Sequence, residues 1–298
     1  MTDRRAGTVR KVDAHLHLWD LQVSDYAWLR RADEALQKTF TPIQAKAELD
    51  AANIDAAILV QAEDSERDTE FMLATASANP WIAGVIGWVR LDDPSEAERA
   101  LDRWQEHPAF CGVRHLVHDD PRDDFLALPP VRDSLALLAE RGVAFDVPNA
   151  WPRHLAATAI LAAELPELTI VLDHLAKPPV GQPDFSRWSD EIGRVAAHPN
   201  TVGKVSGLLP PGVSPTTDQL RPVWERALDV FGPSRLMYGG DWPMTIVSGG
   251  YQRTLNVIRE LVAELSSTEQ DLVFGGTALA VYGATKHPIF NRDETVIK

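Results

Sequence analysis

The sequence predicts an α/β protein, a (β/α)8 barrel of the TIM type, and three observations carry that prediction. Short runs rich in β-branched and apolar residues occur eight times, each followed by a longer stretch with helical spacing. The chain has 298 residues, and barrels of this kind occupy about 250 residues as one domain. Hydrophobic residues make up 45% and charged residues 24%, the balance of a globular chain with a large core. One domain over residues 1–298 is therefore the expected organisation.

The predicted strands are 12–18, 56–61, 82–89, 112–116, 143–147, 168–173, 201–205 and 236–240. Between the third and fourth, Asp93-Pro94-Ser95-Glu96 combines an acidic N-cap, proline at the first helical position and Glu three residues after the cap. Between the fourth and fifth, Val131, Leu135 and Leu138 fall on one helical face, and Gly142 supplies a left-handed C-terminal cap. Residues 209–215, Leu-Pro-Pro-Gly-Val-Ser-Pro, are a loop just after strand seven. Near the end, Ser267 and Gln270 stand at capping-box spacing.

The formal charge of −14 opposes binding to nucleic acid, which requires clustered Lys and Arg to neutralise phosphates. A single cysteine, Cys111, excludes an intrachain disulfide and fits a reducing compartment. No apolar run approaches the roughly 18 residues of a membrane span, and residues 1–10 lack a hydrophobic signal core. The expectation is a cytoplasmic protein with a small-molecule substrate, no membrane or nucleic-acid partner, and a homodimer as the default assembly.

Alternation along Val12-Asp13-Ala14-His15-Leu16-His17 points His15 and His17 to the same side of strand one. At the C-terminal end of a barrel strand, such a pair can ligate zinc or another divalent metal. Alone the pair is a weak motif, and two partly buried histidines bonded to carbonyls, or one packed against an aromatic neighbour such as Trp19, are the commoner reading. His174 falls at the end of strand six, followed by Lys177-Pro178. Asp241 follows two glycines at the end of strand eight, in Gly239-Gly240-Asp241-Trp242-Pro243, where a turn that caps backbone amides is the ordinary alternative. Together His15, His17, His174 and Asp241 form a ligand set that no single structural explanation anticipates.

Order and spacing of these segments, with Gly112-Val113-Arg114-His115 and Lys204-Val205-Ser206-Gly207, resemble the amidohydrolase superfamily over nearly the whole chain. Within it the sequence resembles the group that contains 2-pyrone-4,6-dicarboxylate lactonase and the fuconolactone and rhamnonolactone hydrolases. The resemblance implies a distorted TIM barrel and a lactonase in which Asp241 is the general base. His15, His17 and His174 would surround one metal ion or the attacking water, and the group is not uniform in needing metal. Many amidohydrolases add a ligand histidine on strand five and a bridging lysine near strand four; this chain has neither, so one ion is expected rather than two. Asp146 lies near the end of strand five, where a structural role is as good a reading.

Arg114 is the candidate for a substrate carboxylate, because its planar fork makes paired charge-assisted bonds; the competing role is an ion pair with Asp119, Asp120 or Asp123. His118, Lys204 and Trp242 are further substrate-binding candidates, with a loop anchor the alternative for Lys204. Trp19, Trp88 and Trp242 fall near strand ends, although core packing is the commoner fate of tryptophan. His107, His198 and His287 read as exposed, and His115 and His154 as structural. Two other functions remain open: a nonoxidative decarboxylase of an aromatic or unsaturated acid, and a catalytically silent barrel that binds sugar acids.

Overall fold

The computed structural model describes residues 10–283, so His287 lies outside the described residues. Eight parallel strands run in sequence order: β1 Val12–Leu16, β2 Ala56–Val60, β3 Ile82–Gly87, β4 Phe110–Arg114, β5 Ala144–Val147, β6 Ile170–Leu172, β7 Thr201–Val205 and β8 Leu236–Tyr238. Two backbone bonds join the last strand's loop to the first strand, His17 N–H to the Trp242 carbonyl and Asp241 N–H to the His15 carbonyl, each 2.7 Å. The residues that close the barrel are the candidate site itself. Among the described residues, no helix is long and apolar enough to cross a membrane.

Helices α1 Pro42–Ala52, α2 Glu66–Ala78, α3 Pro94–Trp104, α4 Pro129–Glu140, α5 Leu155–Glu164, α6 Phe185–Ala196, α7 Thr217–Phe231 and α8 Tyr251–Val262 cover the outside. Helix α3 starts as its sequence dictates, with the Asp93 side chain accepting from Glu96 N–H, and it buries Ala97, Ala100, Leu101 and Trp104 at helical spacing. Two short helices follow, α9 Ser267–Asp271 and α10 Thr277–Val281. The capping box of α9 lies one residue before the expected pair: Ser266 caps Glu269, because both reciprocal bonds form only in that register.

The register slips by one residue in three consecutive pairings: between Asp13 and Leu16 against β2, between β2 and β3, and between β3 and β4. Each slip is a β-bulge that re-aims side chains. On β1 the bulge changes which parity faces inward. Val12 and Ala14 join the apolar cluster inside the barrel with Ile58, Val171, Val202 and Met237, whereas His15 and His17 face the mouth above them. Tyr282, just past α10, belongs to the same inner cluster and bonds the Asp146 carboxylate with its hydroxyl at 3.0 Å.

Most strands stop short of their expected C-terminal limits. Residues 17–18, 173 and 239–240 leave the ladder because their backbone turns to build the site.

Candidate active site

Above the apolar plug lies a layer of buried charge. Lys204 Nζ on β7 is 2.5 Å from Asp146 Oδ2 on β5 and 3.0 Å from Asp173 Oδ1 after β6. Arg114 Nη1 on β4 bonds Asp173 Oδ2 at 3.1 Å, and its Nη2 bonds the Gln61 carbonyl at 2.5 Å. Two cations face two carboxyls, the pairing that lets charge be buried at tolerable cost, although burial pushes Asp146 up to about 7 against the pull of Lys204. Burial works against the charge on Asp173, yet Lys204, His15 and Arg114 hold its carboxyl well below the usual range. The same carboxylates raise the Lys204 pKa despite the burial that lowers it.

This layer corrects the expectation for Lys204, which is 0% exposed and lines neither of the two cavities that Asp241 lines, so it is not placed to touch substrate. Arg114 spends two of its five N–H groups on Asp173 and a carbonyl rather than on Asp119, Asp120 or Asp123. Its Nε alone has no partner among the described residues, and it belongs to the lining of the mouth cavity.

His15 sits on the charge layer, with Nδ1 3.2 Å from Asp173 Oδ1 and Nε2 3.1 Å from His17 Nε2. His17 Nδ1 lies 2.8 Å from the Val60 carbonyl. An acceptor at Nδ1 keeps the proton there and leaves Nε2 with a lone pair. Lys204 Nζ also approaches His15 Nδ1, at 3.3 Å, but its nearer partners are the two carboxylates. Two lone pairs therefore face each other, with Asp241 Oδ1 3.6 Å from His17 Nε2 and 3.9 Å from His15 Nε2. Acceptors converging with no proton between them fit a cation. His15, His174 and Asp241 each offer a ligand atom within 4.8 Å of the others.

The protonation states suit that role. Burial pushes His15 well below its ordinary value and His174 down to about 4, so both imidazoles are neutral at pH 7. Burial alone would raise Asp241, but His174, His17 and His15 outweigh it and keep the carboxyl well below the usual range.

Three local devices position these groups. His174, Leu175, Ala176 and Lys177 form a left-handed turn with φ of 56°, 49°, 64° and 66°. Such a turn costs roughly 1–2 kcal/mol per residue for L-amino acids. It is held by the Leu175 carbonyl, which accepts from Trp188 Nε1 at 3.0 Å, and by the Ala176 carbonyl, which accepts from Trp151 N–H at 2.9 Å. Gly207, at φ +44°, is the second device: a Cβ there would run into Asp241 Oδ2 and His174 Nδ1. Third, Asp13 accepts from Gly240 N–H at 2.7 Å and from the Tyr251 hydroxyl at 2.8 Å, tying the loop that carries Asp241 to β1.

The mouth cavity, about 240 Å³, is lined by His17, Trp19, Trp28, Arg114, His118, Asn149, His174, Lys177 and Asp241 among others. His118 is therefore brought to the site, and its Nδ1 has no partner among the described residues. Trp242 is not: it is 2% exposed and packs edge-to-face on Phe40 at 5.3 Å. Its neighbour Asp241 lines the cavity while the indole fills the core, and Trp28 supplies the aromatic wall beside Trp19. Trp88 instead donates to His115 Nδ1, which stacks on Phe125. Sequence reading missed Trp28, Asn149 and Lys177 at the cavity and Asp13 beneath it. Only Asp13 and Lys177 carried any signal, from standing in the same short segments as His15 and His174.

Residues 12–284 match the amidohydrolase family model. The chain belongs to the amidohydrolase family. A family relative from Burkholderia ambifaria, L-fucono-1,5-lactonase, is 31% identical over 242 residues, which covers 81% of this chain and 83% of the relative. An L-fucono-1,5-lactonase from Burkholderia multivorans is 29% identical and spans 91% of this chain and 95% of its own length. Among solved structures, an amidohydrolase from Burkholderia multivorans with bound zinc superposes with a TM-score of 0.83 at 29% identity, covering 92% of this chain and 99% of that one.

Proposed function

We propose that this amidohydrolase opens the lactone ring of a sugar acid by hydrolysis, with Asp241 as general base. The observation that carries the reading is the Asp241 carboxylate held ionised beside the His15, His17 and His174 imidazoles at the floor of an open cavity. It is supported by the two L-fucono-1,5-lactonases the chain resembles.

His15, His174 and Asp241 are the residues that would hold one divalent ion, with His17 Nε2 beside them, and zinc is the first choice for imidazole and carboxylate donors. Such an ion acidifies water and polarises a carbonyl when bound. Asp241 accepts the proton of the attacking water, while Asp173 and the Val60 carbonyl keep His15 and His17 oriented toward the reacting centre. The Trp19 and Trp28 indoles wall the cavity above.

The remaining groups suit a polyhydroxy substrate. Arg114 donates two of its five N–H groups to Asp173 and the Gln61 carbonyl, which leaves three, Nε among them, for a ligand. Asn149 Oδ1 and His118 Nδ1 have no partner among the described residues, and an amide oxygen calls for a donor such as a sugar hydroxyl. Proton release from aldono-1,5-lactones, read with a pH indicator against zinc-loaded protein, tests the proposal. Silence across aldono- and uronolactones, with carbon dioxide release from aromatic acids, would replace it with decarboxylation.

A further inference from the structure

We propose that Lys177 is the proton donor to the ring oxygen that departs when the lactone opens, an inference that rests on the lactonase reading. Lys177 stands three residues from His174 on the left-handed turn, a conformation that brings both side chains to the mouth cavity. Its backbone N–H closes the turn onto the His174 carbonyl at 2.8 Å. An extended or right-handed continuation of β6 would be less strained and would send residue 177 elsewhere.

The side chain reaches back across the site. Lys177 Nζ donates to the Gly207 carbonyl at 2.5 Å, and Gly207 is the residue whose missing side chain makes room for Asp241 Oδ2 and His174 Nδ1. The ammonium is therefore fixed beside the general base. That carbonyl is its one hydrogen-bond acceptor among the described residues. An ammonium has three N–H groups, so two remain for a ligand. Lys177 and Asp241 also line both the mouth cavity and the smaller cavity behind it, of about 60 Å³, so the pair stands on their shared boundary.

The chemistry needs such a group. Water attacks the carbonyl carbon, and Asp241 takes one of its protons as the new C–O bond forms. The C–O bond to the ring then breaks with its electron pair on the ring oxygen, which for a sugar lactone is a strongly basic alkoxide. Lys177 gives that oxygen a proton and becomes a neutral amine. The proton on Asp241 passes to the amine, the product carboxyl ionises, and one proton is released for each lactone and water consumed. Asp241 serves the water and Lys177 the leaving group, so neither has to exchange places within a turnover.

The test compares leaving groups. Lys177→Met keeps the aliphatic stem, and Lys177→Arg keeps the charge and a donor for Gly207 but is a far weaker acid. Zinc-loaded wild type and both variants are assayed on an aldono-1,5-lactone, which expels an alkoxide, and on dihydrocoumarin, which expels a phenolate that leaves without help. Both variants are expected to lose about 100-fold or more in kcat on the aldonolactone and less than about tenfold on dihydrocoumarin. Ethylammonium is expected to restore part of the aldonolactone activity of Lys177→Met alone. Equal losses on the two lactones would assign Lys177 to the carbonyl oxygen or to the loop and overturn the proposal, as would unchanged activity. A wild type that opens neither lactone would instead remove the lactonase reading on which it rests.

Discussion

Lys204→Met is the perturbation that most directly measures what holds the site floor together. Lys204 is fully buried, with Nζ 2.5 Å from Asp146 and 3.0 Å from Asp173, and methionine matches its stem without the charge. The substitution leaves two carboxylates with one cation, Arg114, bound to only one of them. Removing one partner from a buried ion pair costs about 3–5 kcal/mol. For a domain of this size that is a fall in Tm of about 6–20 °C. Chemical denaturation at pH 7 gives the free energy, and pairing the change with Asp146→Asn should recover part of it, since one unpaired carboxylate is then gone. The sign with pH is fixed. Asp173 is depressed in the folded state, so its contribution is complete above its ordinary pKa of 3.8 and is lost as pH falls through the folded value. The gap between wild type and Lys204→Met should therefore stand at neutral pH and narrow in acid. A variant within about 1 kcal/mol of wild type at pH 7 would mean that the charge layer is solvated, and the account of a dry, balanced floor would fail.

Three further outcomes follow from the same geometry. Gly207→Ala forces a Cβ into Asp241 and His174 at φ +44°, and should cost about 2 kcal/mol of stability together with weaker zinc binding by calorimetry; unchanged zinc affinity would show that the neighbours can yield. Burial lifts Asp68 to about 6 despite bonds from the Tyr26 hydroxyl and two backbone amides, so stability is lost as pH rises from 3.8 to about 6, by about 3 kcal/mol, and Asp68→Asn should flatten that slope in urea titrations. Chelated protein should regain about 2.7 kcal/mol of stability when zinc is added at 100 times its Kd, and no shift in Tm would argue for a site that works without the ion.

The barrel was legible because each strand announces itself by a β-branched run and each helix by caps and spacing, as the Thr201–Val205 strand and the Asp93 cap illustrate. The four candidates His15, His17, His174 and Asp241 could be picked out because they stand at strand ends, where a parallel barrel collects its loops. The failure at Lys204 has a physical cause. Whether Lys204 faces substrate or buried charge depends on the depth at which it crosses the barrel, and Asp173, the carboxylate that binds both it and Arg114, sits beside a more conspicuous histidine. Trp242 and Trp28 differ only in which way a loop turns, and no local pattern encodes that. The left-handed turn at 174–177 has no glycine to signal it; tertiary bonds from Trp151 and Trp188 impose it.

The central claim is that Asp241 moves the proton of a lactone-opening water, and zinc-loaded wild type and Asp241→Asn on L-fucono-1,5-lactone test it in one assay. Wild type should release one proton per lactone opened, and Asp241→Asn, which keeps the shape but loses the base, should turn over at least about 100-fold more slowly while its fold survives by circular dichroism. An Asp241→Asn protein that opens the lactone at near the wild-type rate would contradict the claim and leave the imidazoles without the partner around which the site is built.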